Sequence, residues 1–144
     1  MKAKELIERL IWQENELYNL YKLGETFALF ERPKLRDTFA LMAEEELRHR
    51  ETLKGLLNNK TLQDYIVDYW DELSVQSVLY DEILDPETLE ELVVEAIVRE
   101  KHAYKTYSEL FKLLKGSFGD IFRMMAQEEL AHIYRLKLIY ELLD

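Results

Sequence analysis

Two glutamate–histidine pairs carry the chemistry most visible in this chain, Glu46-x-x-His49 and Glu129-x-x-His132, each with its side chains one helical turn apart. Glu14 and Glu100 join them, since both are acids set among apolar residues at helical spacing. Glu14 lies between Ile7, Ile11, Leu17 and Tyr21, and Glu100 among Ile97, Ala103 and Tyr107. Four carboxylates and two imidazoles thus face inward. Burying four ionised acids together without compensation would be very costly in lost hydration and mutual repulsion. Two divalent cations remove that objection, and mixed carboxylate and imidazole ligation fits iron, manganese or zinc. The expected site is a pair of metal ions, iron foremost, held by Glu14, Glu46, His49, Glu100, Glu129 and His132.

A single Glu-x-x-His on a helix is commonly a solvated surface pair. Here the pair belongs to an internal repeat. Residues 39–49 and 122–132 share Phe, Met, Ala, Glu, Glu, Leu and His in register, and Ile11, Glu14, Tyr18 and Tyr21 match Ile97, Glu100, Tyr104 and Tyr107. The offset is 86 residues from Glu14 to Glu100 and 83 from Glu46 to Glu129, so the two halves differ only in turn length. Two of the three histidines fall in the motif; the third, His102, stands two positions after Glu100 and is expected on the outer face. Glu16, Glu44, Glu45 and Glu128 rotate off the inner face and read as surface charge. Tyr18 and Tyr104 read as core filling, and Trp12, Trp70 and Phe118 as packing.

The elements that must position these residues are helices. Four Gly and two Pro in 144 residues leave an all-β chain without its turns, and 48% hydrophobic residues suffice for one domain, residues 1–144. Helical periodicity predicts helices over about 3–31, 33–58, 86–115 and 118–143. Pro33 ends the first and opens the second, Asp85-Pro86-Glu87 signals the start of the third, Gly116 its end, and Ser117 to Asp120 has capping-box spacing. The short turns make two antiparallel hairpins. Residues 59–85 form a long crossover with a short helix, Thr61 to Asp64 being its cap and Tyr65, Ile66, Tyr69 and Trp70 its face. An all-α four-helix bundle with one crossover results.

Composition narrows the partners. Nineteen Lys and Arg against 29 Asp and Glu give a formal charge of −10, which disfavours nucleic acid and anionic membrane surfaces. No apolar run approaches the roughly 20 residues of a spanning helix, and the amphipathic N-terminus is unlike a signal peptide, so a cytoplasmic location is expected. The absence of Cys excludes disulfides, iron–sulfur clusters and thiolate ligands within this chain. Exposed aromatics in residues 65–80 suit a homodimer interface and equally a cover for one end of the bundle; a homodimer is expected.

These residues resemble the ferritin-like di-iron carboxylate superfamily, and most closely its rubrerythrin-like members; the resemblance rests on Glu14 with Tyr21, Glu46-x-x-His49, Glu100 with Tyr107 and Glu129-x-x-His132. It implies that Glu46 and Glu129 bridge two metals, that Glu14 and Glu100 are terminal ligands, and that each histidine binds one metal. It also implies that Tyr21 and Tyr107 orient the carboxylates by hydrogen bonds. Two departures stand out. Rubrerythrins that reduce peroxide carry a further Glu one turn after the ligand of the third helix, where this chain has Ala103, and they usually carry a Cys-rich iron domain, so electrons are expected from a separate donor protein. The resemblance implies an oxidoreductase in which Fe(II) reacts with peroxide or O2. Its alternatives are an iron-handling ferroxidase and a non-catalytic bundle stabilised by metal.

Overall fold

Helix breakers and caps decide where the helices of this chain begin and end. The computed structural model describes residues 2–63, 85–114 and 116–143. Helix α1 (Ala3–Glu31) stops at Arg32, whose φ of −148° and ψ of 76° lie outside the helical region, as the ring of Pro33 requires. The next helix does not begin as α: Pro33–Leu35 is a 3-10 turn, closed by the Leu35 N–H donating to the Arg32 carbonyl at 2.9 Å, and α2 (Arg36–Leu57) follows. A short α3 (Lys60–Gln63) is capped by Asn59, whose Oδ1 accepts the Leu62 N–H at 3.0 Å. The cap is therefore Asn59 and not Thr61. The remainder of the expected crossover helix, Tyr65, Ile66, Tyr69 and Trp70 included, lies outside the described residues.

Helix α4 (Leu89–Leu113) starts three residues after the expected Pro86. Thr88 caps it, its Oγ1 accepting the Glu91 N–H at 3.2 Å, while the Glu91 carboxylate accepts the Glu87 N–H at 2.8 Å. One Thr-x-x-Glu unit thus satisfies an orphan donor of the first turn and the N–H just before the cap, and it outcompetes the Asp85-Pro86 signal. After the extended Leu114, Gly116 turns the chain with φ of 74° and ψ of −146°, a conformation open to glycine. Helix α5 (Ser117–Leu142) begins directly after it, with Gly116 in the capping position and no side-chain cap from Ser117.

Four long helices and no strand among the described residues make the chain all-α, as the four-helix reading expects. They fall into two compact units, α1 to α3 and α4 with α5. In the first, α1 and α2 run antiparallel: Arg50 Nη1 donates to Asn15 Oδ1 at 2.7 Å near one end, and the Tyr21 and Phe39 rings lie 6.4 Å apart toward the other. Leu6, Leu10 and Leu17 of α1 and Met42 and Leu53 of α2 are buried in this unit. Gly24 permits the close approach, since a Cβ there would stand 2.7 Å from Phe39 Cδ1. The second unit repeats the plan, with the Tyr107 and Phe122 rings 6.0 Å apart and Leu92, Val93, Leu110, Met125 and Leu136 buried. No helix among the described residues is long and apolar enough to cross a membrane.

Candidate metal centre

Each unit buries two carboxylates and one imidazole in contact. In the first, α1 supplies Glu14 and α2 supplies Glu46 and His49, all three buried. They lie inside because each occupies an apolar stripe: Ile7, Glu14 and Tyr21 on α1; Phe39, Met42, Glu46, His49 and Leu53 on α2. His49 Nδ1 stands 3.5 Å from Glu14 Oε2 and 3.6 Å from Glu46 Oε2. Ligand atoms of the three lie within 4.8 Å of one another. The residues next in sequence fix this register, for the Asn15–Arg50 hydrogen bond joins the immediate neighbours of Glu14 and His49, and the Arg50 guanidinium also lies 6.0 Å over the Tyr18 ring.

The second unit holds Glu100 from α4 with Glu129 and His132 from α5, again buried and with ligand atoms within 4.8 Å. His132 Nδ1 and Glu100 Oε2 are at hydrogen-bond distance, 3.1 Å. The repeat does not copy the Asn15–Arg50 bridge: the corresponding positions are Lys101 and Ile133. Tyr21 and Tyr107 are fully buried, each one helical heptad beyond its unit's first carboxylate.

The donor set fits divalent cations. Each cluster holds two carboxylates and one imidazole, so with ionised acids it keeps a net negative charge even if its histidine is protonated, inside a core that penalises unbalanced charge. Both imidazoles turn Nδ1 toward carboxylate oxygens, the arrangement in which a metal replaces a proton between them. Oxygen and imidazole donors of this kind suit iron, manganese or zinc.

Several expectations for neighbouring residues change. Glu44 is exposed, but Glu16, Glu45 and Glu128 are half-buried. Trp12 is 40% exposed and is not a core residue; Phe118, Tyr18 and Tyr104 are half-buried. His102 is half-buried too, and its pKa is lowered by burial first and then by the charges of Lys105 and Arg99. Sequence reasoning did not indicate a buried ion pair on the residue just before Glu100, in which Arg99 Nε donates to Glu95 Oε1 at 2.9 Å. Gln13, which holds the place of Arg99 in the first half, is also buried. A signal was present: Gln13 extends the row Leu6, Leu10, Leu17, and Arg99 the row Leu92, Ala96, Ala103.

Comparison with known families finds one match that covers nearly the whole chain, the family described as Rubrerythrin, over residues 5–140. No curated protein and no solved structure matches.

Proposed function

Because the chain belongs to the rubrerythrin family, within the ferritin-like di-iron superfamily, we propose that its two clusters close on one dinuclear iron centre with oxidoreductase activity. Glu14, Glu46 and His49 of the first half and Glu100, Glu129 and His132 of the second would hold the two ions. The observation that carries this reading is the duplication itself: the same two carboxylates and imidazole, buried in the same contact, in both halves of a family member. An iron pair held there would supply the electrons for reducing a small oxidant, hydrogen peroxide or O2. The residues around it keep the site dry, and Tyr21 and Tyr107 orient the terminal carboxylates. These 144 residues contain no Cys, so a thiolate-ligated iron relay for re-reduction would lie outside them.

Anaerobic loading with two Fe(II) per chain, followed by peroxide in a stopped flow, is expected to give rapid oxidation with growth of ferric absorbance. A correctly metallated sample that does not react would sink the proposal. Ala103 favours a second reading, an iron-handling ferroxidase, because a fully buried methyl stands where peroxide-reducing relatives carry a further carboxylate. Storage of mineral requires a closed shell of many subunits, so light scattering of the native protein separates the two: a shell supports storage, and a dimer excludes it.

A further inference from the structure

The repeat that copies the interior of the two hairpins does not copy their exterior. In the register that aligns Phe39 with Phe122 and His49 with His132, the outward row of α2 reads Leu41, Glu44, Arg48, Glu51, Gly55. That of α5 reads Met124, Gln127, Ala131, Tyr134, Leu138. All ten positions are exposed, so the two rows face the same kind of surroundings by backbone position. On α2 the row is what water selects, two acids and a base among small or single apolar residues. On α5 every charge is replaced. The row continues to Leu142, and Met124, Tyr134, Leu138 and Leu142 are 46, 60, 62 and 64% exposed. Single exposed apolar side chains need no explanation, but an uncharged stripe that follows the exposed Asp120 and runs roughly 27 Å from position 124 to 142, at 1.5 Å per residue, marks a contact surface.

Its borders indicate what it contacts. Arg123 and Glu141 edge the stripe on one side, and Glu128 and Arg135 on the other. Each side therefore carries one base and one acid, placed almost symmetrically about position 132. We propose that this face of α5 docks a second copy of the chain, α5 against α5, antiparallel about a two-fold axis at the level of residue 132. That axis sets Arg123 against the partner's Glu141 and, by symmetry, Glu141 against the partner's Arg123. On the other border Glu128 comes within one residue's rise of the partner's Arg135. The apolar side chains of the two stripes fall at alternating levels and interleave. A face whose charges match after a half-turn is complementary to itself, which is the requirement of an isologous dimer. The homodimer expected from the aromatics of residues 65–80 thereby receives a different surface.

Sedimentation velocity over a concentration series tests this on the metal-loaded, full-length protein. The unaltered chain is expected to be a dimer, and Leu138→Glu a monomer with unchanged helical circular dichroism. Arg123→Glu and Glu141→Arg each place like charges in both border pairs and are expected to weaken self-association roughly tenfold. Mixed in equal amounts, these two variants have opposite charges in both pairs of the mixed dimer, so the mixture is expected to recover the original dimer. No folding defect in either variant can produce that recovery. A monomeric unaltered chain, a dimer that survives Leu138→Glu, or a mixture no tighter than its two components would each overturn the proposal.

Discussion

A carboxylate inside a helical core has to be matched by something, and this chain matches its buried acids in two ways. Glu95 is matched by Arg99, at 2.9 Å and with both side chains 4% exposed or less. The acids of the two clusters are matched by histidine and, on the proposed reading, by metal. Replacing Arg99 with Met is therefore expected to strand a buried charge and cost about 3–5 kcal/mol in urea unfolding of the metal-free protein, and adding Glu95→Gln should recover much of the loss. A single variant as stable as the parent would show that Glu95 has another partner. The burial of the clustered acids was legible because short rows of apolar residues surround Glu14, Glu46, Glu100 and Glu129 on the chain itself. That of Arg99 and Gln13 was not. A long polar side chain at the edge of an apolar stripe reads as its rim, and whether the edge is covered depends on what folds over it, which periodicity along one helix does not encode.

At the scale of elements, the boundaries were legible where a single strong signal acted and misread where two competed. Pro33 ends α1 because no alternative breaker lies nearby. The start of α4 offers Asp85-Pro86-Glu87 and Thr88-x-x-Glu91 within a few residues; caps are worth about 1 kcal/mol each, so the unit that satisfies two donors decides the boundary. Close contact between helices is a second property that pattern does not reveal, and the glycines separate it cleanly. Gly24→Ala drives a methyl to 2.7 Å from Phe39 Cδ1 and is expected to destabilise the protein by about 1–3 kcal/mol, as overpacking does. Gly55→Ala adds its methyl to open space on the outer row of α2 and is expected to stabilise by about 0.5–1 kcal/mol through helix propensity. Thermal unfolding of both variants checks the signs, and a stabilising Gly24→Ala would mean that Phe39 yields without cost.

For the whole molecule, the proposed reading divides a ligand set between two halves, and metal bound to such a set would stabilise the folded chain. With free metal at 100 times its dissociation constant the stabilisation is about 2.7 kcal/mol, so chelation is expected to lower the melting temperature by several degrees. Glu46→Ala and Glu129→Ala should each lose the metal in elemental analysis and show a melting temperature indifferent to chelator. A variant that keeps two ions per chain would remove that residue from the ligand set. The duplicated interior also gives the unmatched exterior of α5 a consequence for growth. If α2 bore the same sticky row as α5, every chain would have two equivalent places to attach the next, and association would run on into open fibres. On the proposed docking, charging one row and leaving the other apolar would terminate the assembly at two.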